Sequence, residues 1–238
     1  LDSTNAELMR RARAGHGDPV LLVAALQTAG RGRMGRTWHG KAGAALTFSM
    51  GLSLAPADWS GLSLAIGLSL ADSLHPDIRI KWPNDLYADG GKVGGILVET
   101  ATLVASCVTK PRGRYVVVGV GLNLQTPSGL ETGVRAAALD AVWPECDRLS
   151  VLQRVARPLA QALLDFERQG FAPLQAAYQR RDALAGCDVI LSDGTTGRAM
   201  GVDARGALRV HSQAGERTID TLEVSVRPIQ RESVGVGA

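Results

Sequence analysis

At 238 residues, 45% hydrophobic and 21% charged, the chain suits one large domain, or a large one plus a small one, around a sizeable core. A formal net charge of +3 does not mark a nucleic-acid binder. Cys107, Cys146 and Cys187 are odd in number and far apart, which excludes a disulfide framework and suits a reducing cytoplasm. The four histidines are equally scattered, so no zinc pattern is visible, and the longest uncharged stretches, 42–57 and 59–71, fall short of a bilayer span.

Residues 1–5 read as extended backbone entering a helix. Thr4 and Glu7 have capping-box spacing, and Leu8, Met9 and Ala12 share an apolar face. Residues 15–19 form a turn, and 20–26 make an apolar run of strand length that delivers Gln27 to a basic loop. Over 27–41, Gly30, Gly32, Gly35 and Gly40 are interspersed with Arg31, Arg33, Arg36 and Lys41, and no acidic residue occurs from 19 to 57. Glycines let backbone N–H groups approach a ligand, and clustered cations neutralise anionic oxygens. With little apolar surface to bury and four like charges, such a loop is expected to order around a polyanion.

The loop nearly spells two phosphate motifs and satisfies neither. Gly30, Gly32 and Gly35 have dinucleotide-fingerprint spacing, but Gly35, Gly40 and Gly43 make the required helix improbable. Gly35, Gly40 and Lys41 have P-loop spacing, but Ala42 stands where Ser or Thr is needed.

A strand over 45–54 and a buried helix over 59–74 follow, then a short strand over 77–81 stopped by Pro83. Residues 86–99 read as a hairpin with Asp89-Gly90 as a type I′ turn, and Gly94-Gly95 mark a close approach to backbone. Residues 101–114 read as a flexible excursion and 115–124 as a strand. Ser150 and Gln153 cap a helix to about 169 that Pro158 is expected to kink, and a second helix covers 173–184. Beyond Gly186, short strands over 189–191, 198–202, 207–211 and 217–226 describe a small all-β module, with the boundary near 185.

Three clusters besides the basic loop sit at strand ends or turns. They are Lys81-Trp-Pro-Asn-Asp85, Lys92 ahead of Gly94 and Gly95, and Gly119, Gly121 and Asn123. Each has a plain reading: a surface lysine, a turn aspartate, an edge-strand charge, a strand-terminal amide. Together with the loop they are not independent. Their order and identity resemble the biotin protein ligase family, on Asp2-Ser-Thr-Asn5, Gln27, Gly30-Arg-Gly-Arg33, Gly35-Arg36 and Trp38, Lys81-Trp-Pro-Asn-Asp85, Lys92-Val-Gly-Gly-Ile-Leu-Val-Glu99 and Gly119-Val-Gly-Leu-Asn123. The resemblance covers nearly the whole chain.

That resemblance implies an α+β fold. It comprises a class II aminoacyl-tRNA synthetase-like mixed sheet with flanking helices over 1–185 and a C-terminal SH3-like β-barrel over 186–238. It implies activation of biotin by ATP and Mg²⁺ as biotinyl-5′-AMP, then transfer to a lysine of a biotin carboxyl carrier domain. By the same resemblance Lys92 bridges the biotin carboxylate and the α-phosphate, and Arg31, Arg33 and Arg36 fold over the intermediate. Ser3, Thr4, Gln27 and Gly30 meet the biotin ring, while Gly95, Leu97 and Gly119 wall it. Trp38 stacks on adenine, Asn84 and Asn123 read its edge, and Lys81 and Arg227 reach phosphates. Asp85 either helps hold Mg²⁺ or receives the carrier lysine's proton, and Thr4 is shared with the helix cap.

Met34 replaces a common arginine of relatives. No N-terminal helix-turn-helix is present, so a chain naturally starting here is expected to be a ligase without DNA binding. Pairing of two copies through a sheet edge is an analogy with relatives. The rival enzyme is a lipoate or octanoate transferase of the same fold, and the rival from another class is a nucleic-acid-binding module built on the basic loop.

Overall fold

The computed structural model describes residues 1–103, 113–127, 135–220 and 226–228. Its frame is a six-stranded sheet of β1 (Val20–Ala24), β2 (Ala45–Leu54), β3 (Arg79–Lys81), β4 (Asp85–Ala88), β5 (Gly91–Ala101) and β6 (Arg114–Asn123). The spatial order is β1-β2-β6-β5-β4-β3, and every ladder is antiparallel. The expected mixed sheet is therefore corrected. Among the described residues, parallel pairing is confined to isolated bridges, Ile80 with Asp182 and Lys92 with Ala136.

The central strands β2 and β6 are buried almost throughout, with a neighbouring strand on each side, one face packed on the main core and part of the other under the N-terminal helix. Even-numbered residues of β2 and β6, such as Phe48, Met50, Val116 and Val118, enter the main core. There they share one apolar cluster with residues of α2 (Leu62–Leu74) and α3 (Arg148–Gln169). The α3 stripe of Val151, Val155, Leu159, Leu163 and Phe166 has the four- and three-residue spacing of one helix face. On the opposite sheet face, Tyr115 and Val117 pack under Leu8, Met9 and Ala12 of α1 (Thr4–Arg13). Helix α1 covers only part of that face. Along the rest of β6 the side chains shrink to Gly119 and Gly121, and the sheet is left open.

Two helix caps differ from expectation. The residue capping α1 is Ser3, whose Oγ accepts from Ala6 N at 3.4 Å, so Thr4 is the first helical residue and its hydroxyl turns inward. Helix α3 starts at Arg148, where Asp147 accepts from Leu149 and Ser150 N–H groups and Ser150 answers as the third helical residue. Pro158 lies inside a helix that continues to Gln169. The second helix is shorter than expected: a 3₁₀ turn, Ala172–Leu174, leads into α4 (Gln175–Arg181). The turn at Asp89 and Gly90 has positive φ at both residues, as type I′ demands. Most of the expected 101–114 excursion lies outside the described residues.

A second sheet is formed by β7 (Asp188–Leu191), β8 (Thr196–Val202), β9 (Leu208–Ser212), β10 (Gly215–Ile219) and β11 (Val226–Pro228), in the order β10-β9-β8-β7-β11. The single strand expected over 217–226 thus resolves as parts of β10 and β11. Val189, Val202, Leu208 and Val226 belong to the same apolar cluster as the large sheet. Trp82, fully buried, donates its indole N–H to Gly206 O at 3.1 Å, and Gln175 Nε2 donates to Val202 O at 2.7 Å.

Candidate active site

The open sheet face floors a cleft of about 510 Å³. Its floor is bare backbone for a steric reason. A Cβ on Gly119 would lie 2.1 Å from Asn5 Oδ1, and one on Gly121 would lie 2.4 Å from the Trp38 ring. Gly121 stands in register with Thr47 on one side and Gly95 on the other, so three adjacent strands present small residues at one level. A Cβ on Gly95 would sit 3.4 Å from Lys92 Nζ and 3.5 Å from Asp85 Oδ1.

Lys92 reaches this face through a β-bulge. The β4–β5 register passes from Leu86 opposite Gly94 to Tyr87 opposite Lys92, which leaves Val93 as the extra residue. Val93 is fully buried, whereas the Lys92 ammonium meets Asp85 Oδ1 at 2.6 Å in the cleft. Without the bulge, strict alternation would send Lys92 and Gly95 to opposite faces. Residues 135–137 pin the position, with Arg135 O accepting from Lys92 N at 2.8 Å and Lys92 O accepting from Ala137 N at 2.9 Å.

The basic loop forms the other wall. Trp38 N donates to Gly30 O and Gly32 N to Arg36 O, so the loop doubles back on itself around a 3₁₀ turn, Arg33–Gly35. No α-helix follows the glycines, as the rejection of a dinucleotide motif requires. Met34 holds positive φ at the tip and is largely exposed. Arg33 donates to Asn84 Oδ1 at 3.2 Å, and burial lowers its hold on the proton, opposed by the Asp85 charge. Arg31 pairs with Glu99 at 3.3 Å. Arg31, Arg33 and Arg36 all line the cleft, and so does Trp38, whose indole nitrogen is buried with no hydrogen-bond partner among the described residues.

At the α1 end lies a buried polar chain. Gln27 Oε1 accepts from Thr4 N at 2.6 Å and lies 3.0 Å from Thr4 Oγ1. Ser49 Oγ lies 2.7 Å from Thr4 Oγ1 and 2.5 Å from Asn5 Oδ1, with one proton to place between them. Asn5 Nδ2 donates to Glu99 Oε2 at 3.0 Å and to Leu97 O at 3.3 Å. Asn5, Ser49 and Glu99 were not singled out from sequence. The signal available was the Asn5 and Glu99 ends of the two motifs, but their meeting needs α1 to cross β5.

The remaining expected residues divide. Ser3, Lys81, Leu97 and Asn123 line the same cleft, Lys81 with its ammonium 5.5 Å above the Tyr87 ring. Desolvation raises the Tyr87 phenol above its ordinary range, aided by the Asp85 charge. The Asn84 amide donates to Ile96 O at 2.8 Å, and that of Asn123 to Ala137 O at 3.0 Å, so both also brace the cleft walls. Gly30 is not among the lining residues. A Cβ there would meet Trp38 O at 2.4 Å, so its lack of a side chain serves loop closure. Arg227 lies opposite Ile190 in β11 and its neighbour Val226 lines the cleft; the Arg227 side chain lies outside the described residues.

Among the described residues no three His, Cys, Asp or Glu side chains gather to hold a metal. Asp85, with Lys92 against it, offers a single carboxylate. Mg²⁺ bound through substrate phosphates and water needs only one or two such groups, so the residues suit an ion carried in on a nucleotide rather than a resident one.

The cleft is thus a glycine-floored slot between cations and a tryptophan, closed at one end by buried amides. A profile of the biotin/lipoate A/B protein ligase family matches residues 2–123. The chain belongs to this family. Among family members, it is 36% identical to a biotin–[acetyl-CoA-carboxylase] ligase of Mycobacterium tuberculosis, over 91% of this chain and 82% of that one. It is 35% identical to the Paracoccus denitrificans protein of the same description, over 94% and 96%. A biotin protein ligase from Aquifex aeolicus in complex with biotin and ATP superposes with a TM-score of 0.76 at 28% identity, covering 96% of each chain.

Proposed function

We propose that this chain is an ATP-dependent biotin–protein ligase. It activates biotin as biotinyl-5′-AMP and transfers it to a lysine of a biotin carboxyl carrier domain. The observation that carries the reading is the convergence of Lys92, Arg31, Arg33 and Arg36 on a glycine-floored cleft that ends in buried amide and hydroxyl groups. A neutral bicyclic urea fits that polar end and a triphosphate fits the cationic one.

In the first step a biotin carboxylate oxygen attacks the α-phosphorus of MgATP, the new O–P bond forms, and the bond to the β-phosphate oxygen breaks to release pyrophosphate. Both reactants are anions, so the barrier is lowered by cations placed where charge gathers on phosphorus. In this reading Lys92 exchanges its contact with Asp85 for the carboxylate and the α-phosphate, while Arg33 and Arg36 face the other phosphate oxygens. Trp38 offers its face to adenine, with Asn84 and Asn123 at the edge, and Lys81 and Arg227 are the residues assigned to the phosphates. Ser3, Thr4 and Gln27 serve the urea, while Gly95, Leu97 and Gly119 leave room for the ring and chain. In the second step the carrier lysine amine attacks the acyl carbon, the bond to AMP breaks, and Asp85 is placed to take the amine's proton. The basic loop keeps water from the mixed anhydride between the steps.

The finer architecture goes with this reading. Residues 1–185 would be the adenylate-forming domain, related to class II aminoacyl-tRNA synthetases, and 186–238 an SH3-like module. The edge strand β1, with Leu21 and Val23 partly exposed, is where two copies would pair. A cytoplasmic setting goes with this reading, and no helix among the described residues is long and apolar enough to cross a membrane.

The test is exchange of labelled pyrophosphate into ATP with biotin or lipoate as the acid, followed by transfer to a carrier domain. Biotin-dependent exchange is expected; exchange with lipoate and none with biotin overturns the assignment.

A further inference from the structure

Six side chains form a circuit whose two ends lie four residues apart on the same loop. From Arg31 it passes to Glu99 Oε1 at 3.3 Å, and from Glu99 Oε2 to Asn5 Nδ2 at 3.0 Å. From Asn5 Oδ1 it passes to Ser49 Oγ at 2.5 Å, on to Thr4 Oγ1 at 2.7 Å, and to Gln27 Oε1 at 3.0 Å. Ser49 is fully buried, Thr4 and Asn5 are each 3% exposed, and the Glu99 side chain is 22% exposed. Nothing in the proposed chemistry uses Glu99.

We propose that Glu99 is a positioning residue that fixes which polar groups at the closed end of the cleft donate and which accept. An ionised carboxylate only accepts, so Asn5 must turn Nδ2 toward it and Oδ1 toward Ser49. Asn5 Oδ1 then takes the single Ser49 proton, which leaves the Ser49 lone pairs for Thr4. The one Thr4 hydroxyl proton then goes to Ser49, while the Thr4 backbone N–H holds Gln27 Oε1 at 2.6 Å, so the Gln27 amide keeps N–H donors to present. The other carboxylate oxygen anchors Arg31, so one residue sets both the end of the cleft and the first cation of the loop. A cyclic urea has two N–H donors and one C=O acceptor in a fixed order, and a cleft with scrambled polarity would leave partners unpaired on both sides. The inference rests on the biotin reading above.

The test compares Glu99→Gln, Glu99→Asp and Ser49→Ala with the wild-type chain in pyrophosphate exchange. Gln is nearly isosteric but carries a donor and can turn Asn5 over; Asp keeps an acceptor-only charge. Glu99→Gln is expected to raise the KM for biotin about ten- to a hundred-fold, the scale of a lost charge-assisted hydrogen bond. The KM for MgATP should stay within about two-fold and kcat within about three-fold, since the interaction removed is one made before the chemical step. Glu99→Asp should lie between Glu99→Gln and wild type. Ser49→Ala combined with Glu99→Gln should do less harm than the two effects summed, because both cut one chain. The proposal is overturned by an unchanged biotin KM in Glu99→Gln. It is equally overturned by equal losses in the Gln and Asp variants that track a lowered melting temperature, which would make Glu99 merely structural. If wild type shows no biotin-dependent exchange at all, the functional reading has failed instead.

Discussion

Lys92 Nζ and Asp85 Oδ1 meet at 2.6 Å on the open face of the large sheet, although Lys92 and Gly95 stand an odd number of residues apart on β5. The bulge at Val93 makes the pairing possible, and the pairing keeps the ammonium half-buried without leaving it unmatched. Substituting Lys92→Ala removes the cation but leaves the bulge backbone and its bonds to residues 135–137. Adenylate formation should fall about 10²–10³-fold, the usual loss for one preorganised charge-stabilising donor. Circular dichroism and the melting curve should change little. Unchanged single-turnover adenylation in that variant would remove Lys92 from the chemistry.

The two floor glycines should separate the substrates. An alanine at Gly119 drives its Cβ toward Asn5 Oδ1, which Ser49 holds in place, and so disturbs the urea end. An alanine at Gly121 drives its Cβ into the Trp38 ring and so disturbs the nucleotide end. Each should cost about 1–3 kcal/mol of stability by overpacking. Gly119→Ala is expected to raise the KM for biotin more than that for MgATP, and Gly121→Ala to do the reverse. Identical KM profiles for the two variants would show that the cleft is not divided this way.

Trp82 follows Lys81, a residue expected to reach phosphate, yet its indole is buried in the core and holds the Gly206 carbonyl. Trp82→Phe keeps most of the apolar volume and strips that carbonyl of its partner. Urea denaturation should report a loss of about 1–3 kcal/mol, still in one transition, with the KM for biotin unaltered. A stability equal to wild type would mean the bond contributes nothing to joining the two sheets.

Asp182 is buried beside Ile80 and Leu184, and desolvation pushes its carboxyl up from the ordinary 3.8 to about 6; the Leu184 N–H and the Tyr178 hydroxyl only partly ease the charge. Between those values the folded chain keeps a proton that the unfolded chain releases. Stability therefore declines as pH rises through that window, and the whole penalty is present above it. Two pH units correspond to roughly 3 kcal/mol. Asp182→Asn, which keeps the acceptor for Leu184 N, should be more stable than wild type at pH 8 and nearly equal to it at pH 4. Chemical denaturation at the two pH values checks this, and a difference independent of pH would rule it out.

Much of the site was legible in the chain because its signals are local. Gly-Arg alternation over 30–36, the type I′ turn at Asp89 and Gly90, and small residues along an otherwise β-branched strand at Gly119 and Gly121 each state a backbone or charge requirement within a few positions. Helix starts were read less well, since Ser3 and Asp147 compete with Thr4 and Ser150 as caps and adjacent polar residues look alike until the entering backbone is fixed.

What the sequence determined alone was the inventory: the cations, the bare strands, the apolar periods of α1 and α3, and the family those motifs belong to. Which groups share a face and which serve one another was settled by three-dimensional packing. The bulge that turns Lys92 toward Asp85, the crossing of α1 over β5 that brings Asn5 to Glu99, and the burial of Trp82 against Gly206 all join residues far apart in the chain. Their distances are fixed by sheet register and helix packing, which depend on the whole fold at once, and no stretch of sequence encodes them separately.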